Sequence, residues 1–274
     1  MRTCSYCGKE HPDDVSQCPV EGEILNESVP PLLPPSLTIS EVPAPFVPGE
    51  RRLRFIELVL VCAIALGGSF FSSILSLFQN SLGRFSGSSQ WGYGILTEIA
   101  SLTLLWYVLL RRSKSFPDLG FVWRWSDIGW SVMLCVGGYI AYCMAYMAAY
   151  YGGFAITGRA AANASVGDYF FGGGVTVVTI IFLCVNPFFE ELIARAYMIT
   201  EIKYLTNSAT VAVIVSTLFQ ATYHLYQGVP LALAAGANFF LWSLFYAKTN
   251  RITPIILAHL YFDVGSTLVY VARH

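Results

Sequence analysis

The sequence predicts an all-α protein, a polytopic transmembrane helix bundle of about seven spans preceded by a small cysteine-bearing segment. Hydrophobic residues make up 55% and charged residues 12% of the 274 residues, and the mean hydropathy is +0.57. A soluble domain does not combine these values. The apolar residues are also gathered into runs of about 20 residues, the length that a helix needs to cross a bilayer.

The composition divides the chain into three regions. Residues 1–25 are polar and carry three of the seven cysteines. Residues 26–50 contain seven prolines, and because proline fixes φ and removes a donor, they are interpreted as a semi-extended linker. Residues 51–274 are the predicted membrane domain. The first apolar run begins only near Phe55, so no signal peptide is predicted and the N-terminus is expected in the cytoplasm.

Basic residues predict the orientation of an integral, multi-pass membrane protein, which in a bacterium would lie in the cell membrane. The predicted spans are 55–78, 92–110, 127–151, 174–204, 208–227, 230–248 and 252–271. With the N-terminus inside, ten Lys and Arg residues fall at cytoplasmic ends and three at the opposite ends, as the positive-inside rule requires. The net charge of −1 offers no basic face to a nucleic acid.

This orientation is open to a labelling test. The turn near Asn207 is expected on the cytoplasmic side and residues near Gly167 on the far side, because the basic ends are retained inside. A cysteine introduced at Gly167 should react with a membrane-impermeant thiol reagent only from the far side, and one at Asn207 only from the cytoplasmic side. Labelling of Gly167→Cys from the cytoplasm alone would contradict the orientation.

Three short motifs place ionisable side chains inside apolar runs. They read Glu190-Glu191-Leu-Ile-Ala-Arg195, Tyr223-His224 and His259-Leu-Tyr-Phe-Asp263. Ionisable groups in hydrocarbon cost several kcal/mol each unless they face one another or water. The motifs therefore predict a functional site, with paired polar groups that merely hold the helices together as the alternative.

Helix geometry predicts which of these groups meet. Glu191 and Arg195 are four residues apart and share a helix face, whereas Glu190 points about 100° away. A hairpin turn is predicted at 205–208. Glu190 precedes it by 15 residues and His224 follows it by 16, so both lie about 22–24 Å from the turn.

The other ionisable residues of the spans have simpler interpretations. His259 lies about 12 Å from the cytoplasmic end of the last span, so it meets the hairpin site if the hairpin tip protrudes by about 10 Å. Glu57 is expected to extend towards the nearby cytoplasmic arginines and water. Glu98 is interpreted as a structural partner within the second span.

In this order, the three motifs resemble those of the CPBP intramembrane protease family, which includes the CAAX prenyl endopeptidases and bacterial relatives. Glu190, Glu191 and Arg195 match its EExxxR motif. His259 and Asp263 match its HxxxN/D motif in the aspartate form. The second family motif is FxxxH, and here the chain departs from it, with Gln220 in the phenylalanine position and Phe219 one residue earlier.

The resemblance implies an intramembrane endopeptidase that hydrolyses peptide bonds of a membrane-associated or prenylated protein or peptide. It implies that Glu190 and His224 activate a water, and that His259 and Asp263 stabilise the oxyanion or the water. Because an ionised aspartate cannot donate a hydrogen bond, Asp263 is expected to orient His259. From the spacing, we expect Glu191 to be held by Arg195 in support of the site.

Two alternatives stay open. Glu190, His224 and His259 could ligate Zn²⁺ in a metalloprotease, although metal-independent chemistry is favoured. The chain could also be a non-catalytic immunity or scaffold module on a protease-derived fold, or a transporter. The complete motif set argues against the module, and the lack of inverted repeats argues against the transporter.

The N-terminal cysteines have the spacing of a small zinc site. Cys4 and Cys7 form one C-x2-C pair, and Cys18 begins a second in which Glu21 stands for the fourth cysteine. The segment resembles the zinc-ribbon heads of bacterial membrane proteins. His11 is a second candidate for the fourth ligand, and a degenerate ribbon without metal is the alternative.

Overall fold

The computed structural model describes residues 2–3, 10–11, 49–76, 78, 88–158, 171 and 174–273. The chain divides into two units, 1–47 and 48–274. In the first unit, the described strands are β1 (Arg2–Thr3) and β2 (Glu10–His11), which pair antiparallel with Arg2 opposite His11. The remaining predicted zinc ligands lie outside the described residues (Cys4, Cys7, Cys18 and Glu21). The N-terminal zinc site therefore remains a prediction.

Metal analysis tests that prediction. Full-length protein purified with zinc is expected to hold about one Zn²⁺ at the N-terminus, because three thiolates and one further ligand complete a tetrahedron. The double variant Cys4→Ser/Cys7→Ser should lose one equivalent, whereas Cys135→Ser, a cysteine of the membrane unit, should lose none. Equal zinc content in all three proteins would favour the degenerate ribbon.

The second unit is helical throughout its long elements. Within the described residues these are α1 (Glu50–Ser76), α2 (Ser88–Arg111), α3 (Ser126–Thr157), α4 (Val177–Thr206), α5 (Ala209–Tyr223), α6 (Val229–Thr249) and α7 (Thr253–Arg273). Short 3₁₀ turns at Phe116–Leu119 and Leu225–Gln227 join α2 to α3 and α5 to α6. The predicted all-α bundle is confirmed.

One of the predicted spans is shorter than expected. In the described part of the chain, six helices are long and apolar enough to cross a membrane, and α5 is not, since it has only 15 residues. The prediction continued this span to residue 227, but the helix ends at Tyr223, and Gly228 (φ 94°) then starts α6. At about 1.5 Å per residue, α5 reaches only about 22 Å from the hairpin turn.

The hairpin between α4 and α5 turns where the sequence predicts. α4 ends at Thr206, Asn207 adopts a left-handed conformation (φ 54°), and the Ser208 side chain caps α5 by accepting from the Val211 N–H at 3.2 Å. Arg51 at the start of α1 donates to the Leu205 carbonyl. The hairpin tip therefore lies level with the first turn of α1.

A buried ion-pair network joins three helices at this end of the bundle. Arg112 bonds both Glu57 of α1 and Glu201 of α4, the latter at 2.6 Å. Arg54 approaches Glu201 at 3.8 Å and stacks on the Tyr204 ring at 3.6 Å. Glu57 also lies 3.4 Å from Arg111 and is only 5% exposed. The expected approach of Glu57 to nearby arginines is therefore confirmed, whereas the expected contact with water is wrong.

The other loops meet at the same end. The Ile252 N–H donates to the Gly120 carbonyl at 3.2 Å, and Arg251 pairs with Asp127. Gly120 has φ 80°, and a Cβ there would lie 1.9 Å from the Asn250 carbonyl oxygen. Only glycine permits this approach of the two loops. The helix ends and loops that were predicted to be cytoplasmic thus lie at one end of the bundle. The side of the membrane on which this end lies remains a prediction.

α6 lies at the centre of the bundle. Of its most apolar stretch 56% is buried, against 11% for α3. α3 packs closely on α6 at Gly138, where a Cβ would lie 2.1 Å from Asn238 Oδ1, and Trp242 Nε1 donates to the Leu134 carbonyl at 3.1 Å. The polar motifs of α4, α5 and α7 are therefore arranged around the buried helix α6.

Candidate active site

The first motif lies on an unusual part of α4. Residues Glu191–Tyr197 form a π-helical segment between the α-helical stretches Val177–Glu190 and Met198–Thr206. Every residue of the segment is buried, from 0% to 3% exposed. π-helical turns in α-helices are frequent at functional sites. Here the segment follows Pro187, which removes a backbone donor inside the helix.

Glu191 is shared by a cation and an imidazole. Its Oε2 pairs with Arg195 Nη1, and its Oε1 lies 2.8 Å from His259 Nδ1. The predicted Glu191–Arg195 contact is therefore confirmed. Because a carboxylate only accepts, His259 donates from Nδ1, and its Nε2 points away from Glu191. Both Glu191 and Arg195 are 0% exposed, so they act from behind the site.

Arg195 is held by a ring of uncharged polar groups as well. Its Nη2 donates to Gln220 Oε1 at 2.7 Å and its Nε to Ser243 Oγ at 3.3 Å. Gln220 in turn donates to Ser216 Oγ at 3.0 Å. The departure from the FxxxH motif thus has a physical role, since Gln220 faces the guanidinium, while Phe219 stacks on Phe70 of α1 with ring centroids 5.0 Å apart.

Glu190 is positioned by two neutral donors. The Tyr223 hydroxyl donates to its Oε2 at 3.0 Å, and Asn186 Nδ2 lies 3.4 Å from its Oε1. Asn186 is one turn earlier on α4, and Tyr223 is the last residue of α5. The predicted equal height of Glu190 and the α5 motif is thereby observed in the hairpin.

His224 follows at the end of α5 with its tautomer set by the backbone. Its Nδ1 lies 2.8 Å from the Gln220 carbonyl oxygen, so Nδ1 carries the hydrogen and Nε2 is left with a free lone pair. The ring packs between Tyr223 and Phe239, with centroids 4.6 and 4.9 Å away. Glu190 and His259 are both close enough to the His224 ring to interact with it electrostatically.

Asp263 lies at the open side of the site. Its Oδ1 is 3.8 Å from His259 Nε2, which is an ion-pair distance and too long for a hydrogen bond. The Asp263 side chain is 21% exposed and that of His259 is 12%. The hydrogen bond that orients His259 therefore comes from Glu191, and Asp263 faces the Nε2 edge, where a substrate would approach.

The structure thus brings together all of the residues of the three motifs. Several partners were not predicted from the sequence (Asn186, Ser216, Gln220, Tyr223 and Ser243). Asn186 stands four residues before Glu190, so the i,i+4 rule was a usable signal for it. The others depend on how α4, α5 and α6 pack, which no local pattern encodes.

The zinc alternative receives no geometric support. Among the residues that the structure describes, no three His, Cys, Asp or Glu side chains are placed as a metal-binding group. The Nδ1 of His259 is engaged by Glu191, which leaves Nε2 as the nitrogen that a metal could bind.

A comparison with protein families agrees with these motifs. Residues 172–265 match the family model described as type II CAAX prenyl endopeptidase Rce1-like. The matched segment contains all three motifs, and over these residues the chain is similar to that family of CPBP-type intramembrane proteases. No curated protein and no solved structure is similar enough to the chain to be matched to it.

Proposed function

We propose that the protein is an endopeptidase that cleaves a prenylated, CAAX-type protein or peptide at the membrane, using a water activated by Glu190 and His224. The observation that carries the proposal is the placement of Glu190 beside Tyr223 and His224, with His259 and Asp263 in the same cluster. Hydrolysis needs a base for the water and donors for the oxyanion, and this cluster offers both.

Glu190 and the free Nε2 of His224 are the proposed proton acceptors. One takes a proton from the water as its oxygen attacks the carbonyl carbon of the peptide bond. The carbon–nitrogen bond then breaks, and the proton is returned to the leaving amine. Tyr223 and Asn186 keep Glu190 in one orientation during this transfer, which favours a reactive geometry.

His259 is the proposed donor to the oxyanion. Its Nδ1 is bound by Glu191, so the imidazolium form would carry its second proton on Nε2. The Nε2–H of that form would face the open side, where the oxyanion develops. Asp263 lies beside the same edge and, when protonated, offers a second donor.

An apolar groove supports a lipidated substrate. The groove is wide open on its outer side, has a volume of about 650 Å³ and runs between α2 and α4. Its walls include Leu192, which is next to Glu191, and Ile99, which is next to Glu98. The aromatic side chains of Trp106, Phe116 and Phe121 also line the groove. An isoprenyl chain or a membrane lipid fits this lining.

A cleavage assay with paired substrates tests the proposal. Purified wild-type protein is incubated with prenylated and unprenylated forms of one CAAX-type peptide, and Glu190→Ala serves as the inactive control. We expect wild-type cleavage of the prenylated form, a lower kcat/KM for the unprenylated form, and no cleavage by the variant.

Three outcomes would count against the proposal. Equal cleavage of both forms would remove the role of the isoprenyl group and leave a general intramembrane peptidase. Cleavage by Glu190→Ala at the wild-type rate would remove Glu190 from the chemistry. Absence of cleavage across a broad peptide panel would favour the non-catalytic module.

A further inference from the structure

A second carboxylate lies behind Glu190 and is not used by the proposed chemistry. Glu98 of α2 is 4% exposed, and its Oε1 accepts from Asn186 Nδ2 at 3.0 Å. Its Oε2 is buried and has no hydrogen-bond partner among the described residues. Burying a carboxyl group with an unsatisfied oxygen costs free energy, so the presence of Glu98 at this position needs a physical reason.

The reason is found in the Asn186 amide. A side-chain amide presents either its nitrogen or its oxygen to a neighbour, because the two orientations differ only by a flip. Here the same Nδ2 lies 3.0 Å from Glu98 and 3.4 Å from Glu190. Its two hydrogens are thus divided between the carboxyl groups of Glu98 and Glu190. The flipped amide would set its oxygen against both acceptors, which is repulsive.

We infer that Glu98 is a positioning residue for Glu190 and acts through Asn186. By accepting one amide hydrogen, Glu98 fixes the orientation in which Asn186 donates the other to Glu190 Oε1. The Tyr223 hydroxyl fixes Oε2 from the opposite side. Glu190 is then held at both oxygens, and Glu98, which lies outside the segment 172–265 that matches the family, becomes part of the site.

This inference rests on the proposed function, so its test separates the two. Wild type and Glu190→Gln are first compared on the prenylated peptide, which decides the function. Glu98→Gln keeps an oxygen acceptor for Asn186, whereas Glu98→Leu removes it at similar volume. We expect Glu98→Gln to stay within about threefold of the wild-type kcat, and Glu98→Leu to lose about tenfold or more in kcat at unchanged KM.

A double-variant comparison tests the route through Asn186. If Glu98 acts only by holding the amide, Glu98→Leu has no further effect on kcat in an Asn186→Leu background. Additive losses would overturn the route. Equal losses in Glu98→Gln and Glu98→Leu would overturn positioning and make the carboxyl itself the working group, and wild-type kcat in Glu98→Leu would overturn any role. Glu98→Met is measured in parallel, so that the decision does not depend on one variant folding.

An infrared measurement decides the inference even if no peptide is cleaved. The carboxylate stretching band that disappears in Glu190→Gln reports the hydrogen bonding of Glu190. We expect this band to shift in Asn186→Leu and in Glu98→Leu, and to stay in place in Glu98→Gln. A band unchanged in Glu98→Leu would overturn the inference, whatever the cleavage assay shows.

Discussion

Alanine at Glu190 or at His224 is expected to lower kcat by about 10²–10⁴-fold, the usual contribution of a positioned general base. Glu190 is held by Tyr223 and Asn186, and His224, the residue after Tyr223, keeps an unprotonated Nε2. Because Glu190 and His224 are the two proposed proton acceptors, the other residues of the site are not expected to compensate for the loss of either. Cleavage kinetics on the substrate preferred by the wild type measure the loss.

Folding is the necessary control for these variants. Glu190 interacts with neutral donors and His224 with a backbone carbonyl, so truncating either leaves no unpaired charge. The melting temperature in detergent should therefore stay close to that of the wild type. Glu50→Ala, a change at a half-exposed ion pair of α1, serves as the matched control and should keep full activity. Full cleavage by Glu190→Ala or His224→Ala would remove that residue from the catalytic role.

Arg195→Ala is expected to destabilise the fold by about 3–5 kcal/mol, the cost of leaving one partner of a buried ion pair alone. The stranded group is Glu191, which is 0% exposed. The change also leaves Gln220 Oε1 without its charged donor. Thermal or denaturant unfolding in detergent measures the effect, and activity should fall with it, because Glu191 also holds His259.

A paired substitution separates support from chemistry. Glu191→Gln combined with Arg195→Gln removes both charges, so no unpaired ion remains, and the glutamine oxygen at 191 can still accept from His259 Nδ1. We expect this variant to recover much of the stability that Arg195→Ala loses. If Arg195→Ala instead melts like the wild type and has no activity, the arginine belongs to the chemistry and the supporting role is wrong.

The features that could be predicted from the sequence are those with a fixed period or length. Runs of about 20 apolar residues located the long helices to within a few residues, and the i,i+4 rule paired Glu191 with Arg195. Rise per residue placed Glu190 level with the end of α5. Each of these depends on one helix or one hairpin, and that is why a single sequence contains them.

The features that were missed depend on contacts between helices. Glu57 was expected to reach water as well as nearby arginines, but Arg111 and Arg112 at the end of α2 bury it. The orientation of His259 was assigned to Asp263, whereas Glu191 on a different helix provides it. α5 ends early because the His224 imidazole binds the Gln220 carbonyl oxygen and because Gly228 then starts the next helix. An apolar run cannot reveal such an end when the next span follows at once.

The π-helical segment of α4 determines how the part of the helix before it is rotated relative to the part after it. Before the segment, Asn186 and Glu190 face α2 and α5. After it, Glu201 faces its ion-pair partners Arg54 of α1 and Arg112, the residue that follows α2. Removing one residue from a helix turns everything before it by about 100° relative to everything after it. A deletion within 191–197 would either convert the π-helical turn into α-helix or rotate Glu190 away from its donors, so the length of this stretch is constrained as closely as its buried residues.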